Sequence, residues 1–118
     1  MIHLTGDTHI LIAIAPADFR QGIDGLAATC RYKLSLNPRS GTVFVFINRN
    51  KTMVRALSYD GTGFWLMTKR LSEGKFQHWP SSHKIIEPII AKQLRKLLCD
   101  NDPSWEKTDP LCLVKSLR

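Results

Sequence analysis

The sequence predicts a small α+β fold, a mainly antiparallel sheet of four to five strands packed by two helices. Segments typical of strands, separated by turn residues, fill the middle of the chain from Thr42 to Lys69. Apolar residues at helical spacing flank this region on both sides. With 118 residues and 43% hydrophobic content, the chain can bury one modest core. We therefore expect a single domain over residues 1–99, followed by an irregular tail over residues 100–118.

The first predicted elements are a strand and a helix. His9 to Ile14 is a short apolar run typical of a buried strand, and Pro16 ends it. Asp18 can cap the helix that follows, which is predicted from about Asp18 or Gly22 to Leu34. Its apolar residues recur at three- and four-residue spacing: Ile23, Leu26, Ala27, Cys30 and Leu34.

An antiparallel meander of three strands comes next. The segments Thr42–Asn48, Thr52–Tyr59 and Gly63–Lys69 are separated by short stretches of turn residues, a pattern typical of hairpins. In the third segment, alternate side chains face opposite sides of the sheet, and the sequence does not say which set faces the core. Trp65 is therefore predicted either in the core or on display at the surface.

Two further elements are predicted before the tail. A short strand around Lys75 to His78 follows the turn at Ser72–Gly74. Pro88 suits the first turn of a helix with one apolar face and one basic face, which extends to Leu98. After Asp100 the sequence is rich in proline and polar residues, and it predicts no regular element.

Positive charge is concentrated in the middle of the chain. Between Arg31 and Lys96 there are thirteen Lys and Arg against three acids, within a net charge of +7 for the whole chain. A folded surface this basic attracts polyanions, so a nucleic acid is the first expected partner. The alternatives are charges that are merely solvated, or gatekeeping charges on exposed strands. The candidate contacts to a phosphate backbone cluster at two hairpins: Arg49, Lys51, Arg55, Lys69, Arg70 and Lys75.

Cysteine usage and hydropathy favour a cytoplasmic protein. The apolar runs are far shorter than the roughly 20 residues of a membrane helix, and the N-terminus does not have the pattern of a signal peptide. Cys30, Cys99 and Cys112 are odd in number and widely spaced, as expected in a reducing compartment. Cys30 and Cys99 fall in apolar helical contexts and are predicted to be core residues.

The sequence offers no convincing catalytic group. Metal-dependent phosphoryl chemistry needs several carboxylates that converge on one or two ions. The candidates Asp18, Asp24 and Asp60 are better explained as cap or turn residues, because the first two do not share a helix face and the third lies in a glycine-rich turn. His78 and His83 are not near a cysteine pair, so no zinc site is predicted. We expect no catalytic residue, metal or cofactor.

A series of short motifs runs through most of the chain. The motifs are Asp18-x-Arg20-x-Gly22-x-Asp24-Gly25-Leu26, then Pro38-x-Ser40-Gly41 before Phe44-Val45-Phe46, then Asp60-x-x-Gly63, and Lys69-Arg70-Leu71-x-x-Gly74-x-Phe76 with Trp79-Pro80. Over roughly Leu11 to Leu98, this series resembles the TnpB accessory proteins of the IS-sixty-six type of bacterial insertion sequence. This family is unrelated to the RNA-guided nucleases that share the name.

The resemblance implies a small accessory protein encoded beside a transposase, which itself carries the strand-cutting acids. Two roles remain open: a factor that holds element DNA through its basic surface, and a module that binds the transposase with little DNA affinity of its own. The first motif, with Asp18, Arg20, Gly22, Asp24 and Gly25, is expected to be structural. For Arg20, local pairing with the neighbouring acids is favoured over phosphate contact.

Overall fold

The computed structural model describes residues 6–99, and the predicted tail over residues 100–118 lies outside the described residues. The predicted α+β class is confirmed, with five strands and two helices within this described range. In chain order these are β1 (Ile10–Ala13), α1 (Ile23–Tyr32), β2 (Val43–Ile47), β3 (Met53–Tyr59), β4 (Phe64–Arg70), β5 (Ile86–Ile89) and α2 (Ala91–Cys99).

All five strands form one mixed sheet in the order β4-β3-β2-β1-β5. The predicted meander is present, since β2, β3 and β4 pair antiparallel with their neighbours. β1 and β2 are parallel, and β5 is antiparallel to β1. The parallel pair requires a crossover between the two strands, and α1 provides it. The sheet is therefore antiparallel everywhere except at β1 and β2.

Both faces of the sheet are covered, which explains the uninterrupted apolar sequence of β2. All five residues of this central strand are buried, as expected for a strand packed on both sides. The cluster on the α1 face includes Leu26, Cys30, Phe44, Phe46 and Leu57. The cluster on the α2 face includes Ile10, Val45, Phe76, Trp79 and Leu94. Burial raises the pKa of the Cys30 thiol to about 12, so this side chain behaves as a small apolar core residue.

The predicted cap at Asp18 is wrong. α1 begins at Ile23, its N-cap is Gly22, and no side chain caps it. Asp18 is unavailable because its carboxylate accepts hydrogen bonds from the backbone and guanidinium of Arg20. The helix also ends at Tyr32, before Leu34, where the chain turns through Ser35 at a φ of 56°.

The predicted strand around Lys75 to His78 is also wrong. This segment belongs to a loop between β4 and β5, in which Phe76 and Trp79 are both buried in the cluster under α2. Residues three apart on a strand face opposite sides of a sheet, so a strand could not bury both side chains in one cluster. The loop is held instead by the Trp79 indole N–H, which donates to the Ala13 carbonyl at 3.2 Å.

Pro88 lies in β5 and not in the first turn of α2, which corrects the predicted start of the last helix. It is opposite Leu11 in the ladder with β1. Because β5 is at the edge of the sheet, a residue without an N–H is tolerated there. The helix begins at Ala91, and the Gln93 side chain accepts a hydrogen bond from the Ile90 N–H at 2.9 Å.

Gly25 is required by the close approach of Gln21. A Cβ at Gly25 would lie 2.3 Å from the Cβ of Gln21, an atom fixed to the backbone. Overpacking costs about 1–3 kcal/mol, whereas Ala gains roughly 1 kcal/mol over Gly within a helix. We expect Gly25→Ala to lower the free energy of unfolding by about 1 kcal/mol, and Tm by about 4–8 °C, in circular dichroism melts.

The matched control is Gly22→Ser. Nothing lies within 4 Å of a Cβ placed there, and Ser is a favourable N-cap residue. This variant should melt at the parent temperature or above it. A Gly25→Ala protein as stable as the parent would mean that Gln21 moves aside at no cost.

Candidate nucleic-acid interface

Three loops meet at one end of the sheet. The parallel strands β1 and β2 both finish there, at Ala13 and Ile47. The ladder registers bring the start of β3, the finish of β4 and the start of β5 to the same end. The segments 14–22, 48–52 and 71–85 are therefore neighbours in space, although they are far apart in sequence.

Within residues 6–99, seven of the twelve exposed Lys and Arg lie on or beside these loops. We call this surface the basic edge. Across residues 14–22, 48–55 and 68–85 there are eight Lys and Arg against two acids, Asp18 and Glu73. The exposed members of the basic edge are Arg20, Arg49, Lys51, Lys69, Arg70, Lys75 and Lys84.

The two predicted basic clusters form one surface. The Leu71 N–H donates to the Thr52 carbonyl at 3.0 Å, and the Phe76 N–H donates to the Lys51 carbonyl at 2.8 Å. These hydrogen bonds hold the segment with Arg70 and Lys75 against the turn that carries Arg49 and Lys51. Sequence reasoning missed Lys84, which joins the surface because Ile85 pairs with Ile14 beside β1.

Arg55 differs from the other predicted contacts because its guanidinium is engaged within the fold. Its Nη1 donates to the Phe19 carbonyl at 2.8 Å and to the Gln21 carbonyl at 3.4 Å, and its Nε donates to the Thr68 hydroxyl at 3.1 Å. The guanidinium carbon also lies 4.8 Å from the centre of the Phe19 ring. Arg55 therefore fastens the first loop of the basic edge to the sheet.

Lys69 is partly engaged as well. Its ammonium group donates to the Leu98 carbonyl at 2.9 Å, in the last turn of α2, where a positive charge is favourable. An ammonium group has three donors, so this contact leaves Lys69 able to bind a second acceptor.

Asp18 and Arg20 form a two-pronged ion pair on the first loop. The Arg20 Nε lies 3.1 and 3.2 Å from the two carboxylate oxygens, and Nη2 lies 2.9 Å from the second of them. This guanidinium lowers the pKa of Asp18 to about 2. The pair is exposed, and its contribution is complete above the ordinary carboxyl pKa of 3.8 and is lost as the pH falls toward 2.

The rest of the first motif surrounds the start of α1. Gly22 is the N-cap, and the Asp24 carboxylate lies in the first turn, where negative charge is favourable. Between this motif and the turn after β2 lies a cleft of about 500 Å³. Arg20, Arg49 and Arg55 line it together with Asp18.

The acids do not converge on a shared point. Asp60 lies at the opposite end of the sheet from Asp18, in the turn between β3 and β4. Its carboxylate accepts hydrogen bonds from the Thr62 N–H and hydroxyl, from the Gly63 N–H, and from the Trp65 indole at 2.8 Å. These bonds hold the pKa of Asp60 far below its usual range. Within residues 6–99 no three His, Cys, Asp or Glu side chains are grouped to hold a metal ion.

Trp65 is exposed at the surface, which decides between the core and surface positions that the sequence left open. It is 44% exposed, whereas Phe64 and Leu66 pack against the cluster under α1. Its indole is oriented by Asp60.

In the part of the chain that the structure describes, no helix is long and apolar enough to cross a membrane.

Comparison with known proteins identifies the family. The model of the IS66 Orf2 like protein family matches residues 8–107. Uncharacterized protein y4hO of Sinorhizobium fredii (strain NBRC 101917 / NGR234) is 36% identical over 96 residues, which cover 81% of this chain and 83% of that protein. Uncharacterized protein y4jC of the same strain is 38% identical over 76 residues, which cover 64% of this chain and 65% of that protein. No solved structure matches this chain significantly.

The family match covers most of the chain and confirms the resemblance to the TnpB accessory proteins. Membership links the chain to the transposase machinery of a mobile element. This chain belongs to the IS66 Orf2-like family, and its role lies in the transposition of an insertion sequence.

Proposed function

We propose that this protein is a non-catalytic accessory factor that holds element DNA against its basic edge, within a complex with the transposase in the bacterial cytoplasm. The observation that carries the proposal is the meeting of three loops at one end of the sheet, with seven exposed Lys and Arg on or beside them. Clustered Lys and Arg displace counterions from the phosphate backbone, which favours binding to any duplex.

The dimensions of the basic edge suit a duplex backbone. Five strands about 4.8 Å apart span about 19 Å, which is roughly half of one 34 Å turn of B-DNA. Both helices lie on the faces of the sheet and contribute to the core, so neither projects from the basic edge as a recognition helix would. Contacts from loops to phosphates position a protein on DNA without reading its sequence. We therefore propose a backbone-binding factor with little sequence preference.

A protein interaction module that binds the transposase is the second candidate. It is supported by Ile85 and Ile90, which are 62% and 54% exposed on either side of β5. Exposed apolar side chains of this size are suited to a protein contact. This candidate predicts little DNA affinity for the isolated chain.

The test is a fluorescence anisotropy titration of the full chain against a labelled terminal sequence of its element and a scrambled duplex. We expect binding to both, with log K falling linearly with log salt by roughly 0.9 per phosphate contact. A clear preference for the terminal sequence would add readout of sequence or shape. Absence of binding at low salt would overturn the DNA-holding role. Retention by purified transposase after nuclease treatment would then support the second candidate.

A further inference from the structure

The two edge strands of the sheet differ in how well they are protected. β5 has four residues and carries Pro88, and a proline discourages pairing at an edge. β4 has seven residues and no proline. Among residues 6–99 no strand pairs with its outer side. A long edge strand without proline is a template for a further strand.

The pairing of β4 with β3 determines which backbone N–H and C=O groups of β4 face away from the sheet. The hydrogen bonds from Asp60 to Gly63 and from Leu71 to Thr52 mark two hydrogen-bonded positions of this ladder, and such positions alternate along an antiparallel pair. Residues 65, 67 and 69 therefore bond to β3, and residues 64, 66, 68 and 70 direct their N–H and C=O groups away from the sheet.

An apolar surface accompanies this open edge. Trp65 and Met67 are 44% and 41% exposed. They share a face with Lys69, which is opposite Val54 of the cluster under α2. A groove of about 200 Å³ continues from Met67 toward α2, and its lining includes Val54, Ala56, Leu94 and Leu98.

We propose that β4 pairs antiparallel with β4 of a second copy of this chain, about a two-fold axis at Met67. In this register, residues 64 and 66 lie opposite residues 70 and 68 of the second copy. Each outward-facing residue can then exchange both of its backbone hydrogen bonds with its opposite. A shift by two residues in either direction leaves residues at the ends of β4 unpaired, so this register pairs the whole strand.

In this register, the side chains of β4 are complementary to those of β4 in the second copy. Trp65 lies opposite Lys69 of the second copy, and Phe64 lies opposite Arg70. Both cations thus meet aromatic side chains, a favourable cross-strand pairing, and like charges do not face each other. Met67 meets its own copy at the axis, which extends the apolar surface across the interface.

Gatekeeping charges alone do not explain this strand. Lys69 and Arg70 stand together at one end, and the five residues from Phe64 to Thr68 carry no charge. Protective charges are most effective when they interrupt an apolar edge. Here the charged end is matched to the aromatic end of an antiparallel copy, which favours one defined partner and gives a sheet of ten strands.

Disulfide trapping of Met67→Cys in the full chain tests the proposed register. In the paired register, residue 67 forms a non-hydrogen-bonded pair with its copy, with about 4.5 Å between the Cα atoms, and this separation allows a disulfide. Oxidised glutathione should convert the variant to a covalent dimer on non-reducing gels, at salt that strips nucleic acid. The matched control is Ile90→Cys, because Ile90 is also apolar and is 54% exposed. It should remain monomeric on the gel.

Sedimentation of the parent chain and of Met67→Lys gives a second measurement. The parent should form dimers as its concentration rises. Met67→Lys places two like charges opposite each other and should raise the dimer dissociation constant roughly tenfold. A monomeric parent, or equal trapping of Ile90→Cys, would overturn the proposal. A disulfide between the introduced thiol and Cys112 of the same chain would also overturn it, because the C-terminal tail would then occupy the edge.

Discussion

A variant that loses four exposed charges of the basic edge should bind every duplex about 100-fold more weakly than the parent. Each lost phosphate contact should also flatten the plot of log K against log salt by roughly one unit. The fold should persist, because these side chains project from loops and strand ends. Lys51 is replaced by Asn, because its φ is 61° and Asn tolerates this left-handed region. The changes are Arg49→Gln, Lys51→Asn, Arg70→Gln and Lys75→Gln.

A matched variant separates position from net charge. It removes four exposed cations that lie outside the basic edge and so has the same net charge as the first variant. Anisotropy titrations at two salt concentrations should give an affinity close to that of the parent. Equal weakening in the two variants would mean that DNA responds to total charge and not to the basic edge. The changes are Arg31→Gln, Lys33→Gln, Arg39→Gln and Lys92→Gln.

Arg55→Ala should lower the free energy of unfolding by about 2–3 kcal/mol. The variant loses charge-assisted hydrogen bonds to two carbonyls and to Thr68, and such bonds contribute about 1.5–3 kcal/mol. It also loses the stacking of the guanidinium on Phe19, which contributes about 0.5–1 kcal/mol. Urea unfolding followed by circular dichroism measures the change. The control is Arg49→Ala, an exposed arginine on the neighbouring turn, which should change stability by less than about 0.5 kcal/mol.

Arg55→Lys distinguishes the charge of this residue from its geometry. Lysine keeps the positive charge but cannot reproduce the planar fork of the guanidinium. We expect it to lose much of the same stability while DNA affinity stays near that of the parent. If Arg55→Ala were as stable as the parent and bound DNA as weakly as the four-charge variant, Arg55 would belong to the DNA contacts.

The sequence predicted the parts of the fold that depend on neighbouring residues. The β2–β3–β4 meander was foreseen because each turn lies between strands that follow one another. β5 was not foreseen, since Pro88 fits a helix start locally and its pairing with Leu11 is a contact between distant segments. The segment Lys75–His78 follows a turn, which favours a strand locally, whereas the burial of Phe76 and Trp79 in one cluster decides against a strand.

The sequence predicts which charged residues belong to the candidate interface, but not how they are arranged in space. Charge is visible in the sequence, which predicts Arg49, Lys51, Arg70 and Lys75 as candidate contacts. Their convergence depends on the register of β3 and β4 and on the loop that returns beside the turn after β2, neither of which leaves a local signal. Arg55 was grouped with them because a sequence shows its charge but not the carbonyls that engage it.

The position of β1 has a consequence for synthesis of the chain on the ribosome. β1 is made first, yet it pairs with β2, 33 residues later at Ile10 and Val43, and with β5 near the end of the described chain. Pairings between such distant segments form slowly, because the entropy of closing a long loop is lost before the new contacts stabilise the chain. The meander can assemble while translation continues, but β1 remains without one neighbour until Ile89 has emerged. The end of the sheet that carries the basic edge is therefore completed only after residues 71–89 have emerged.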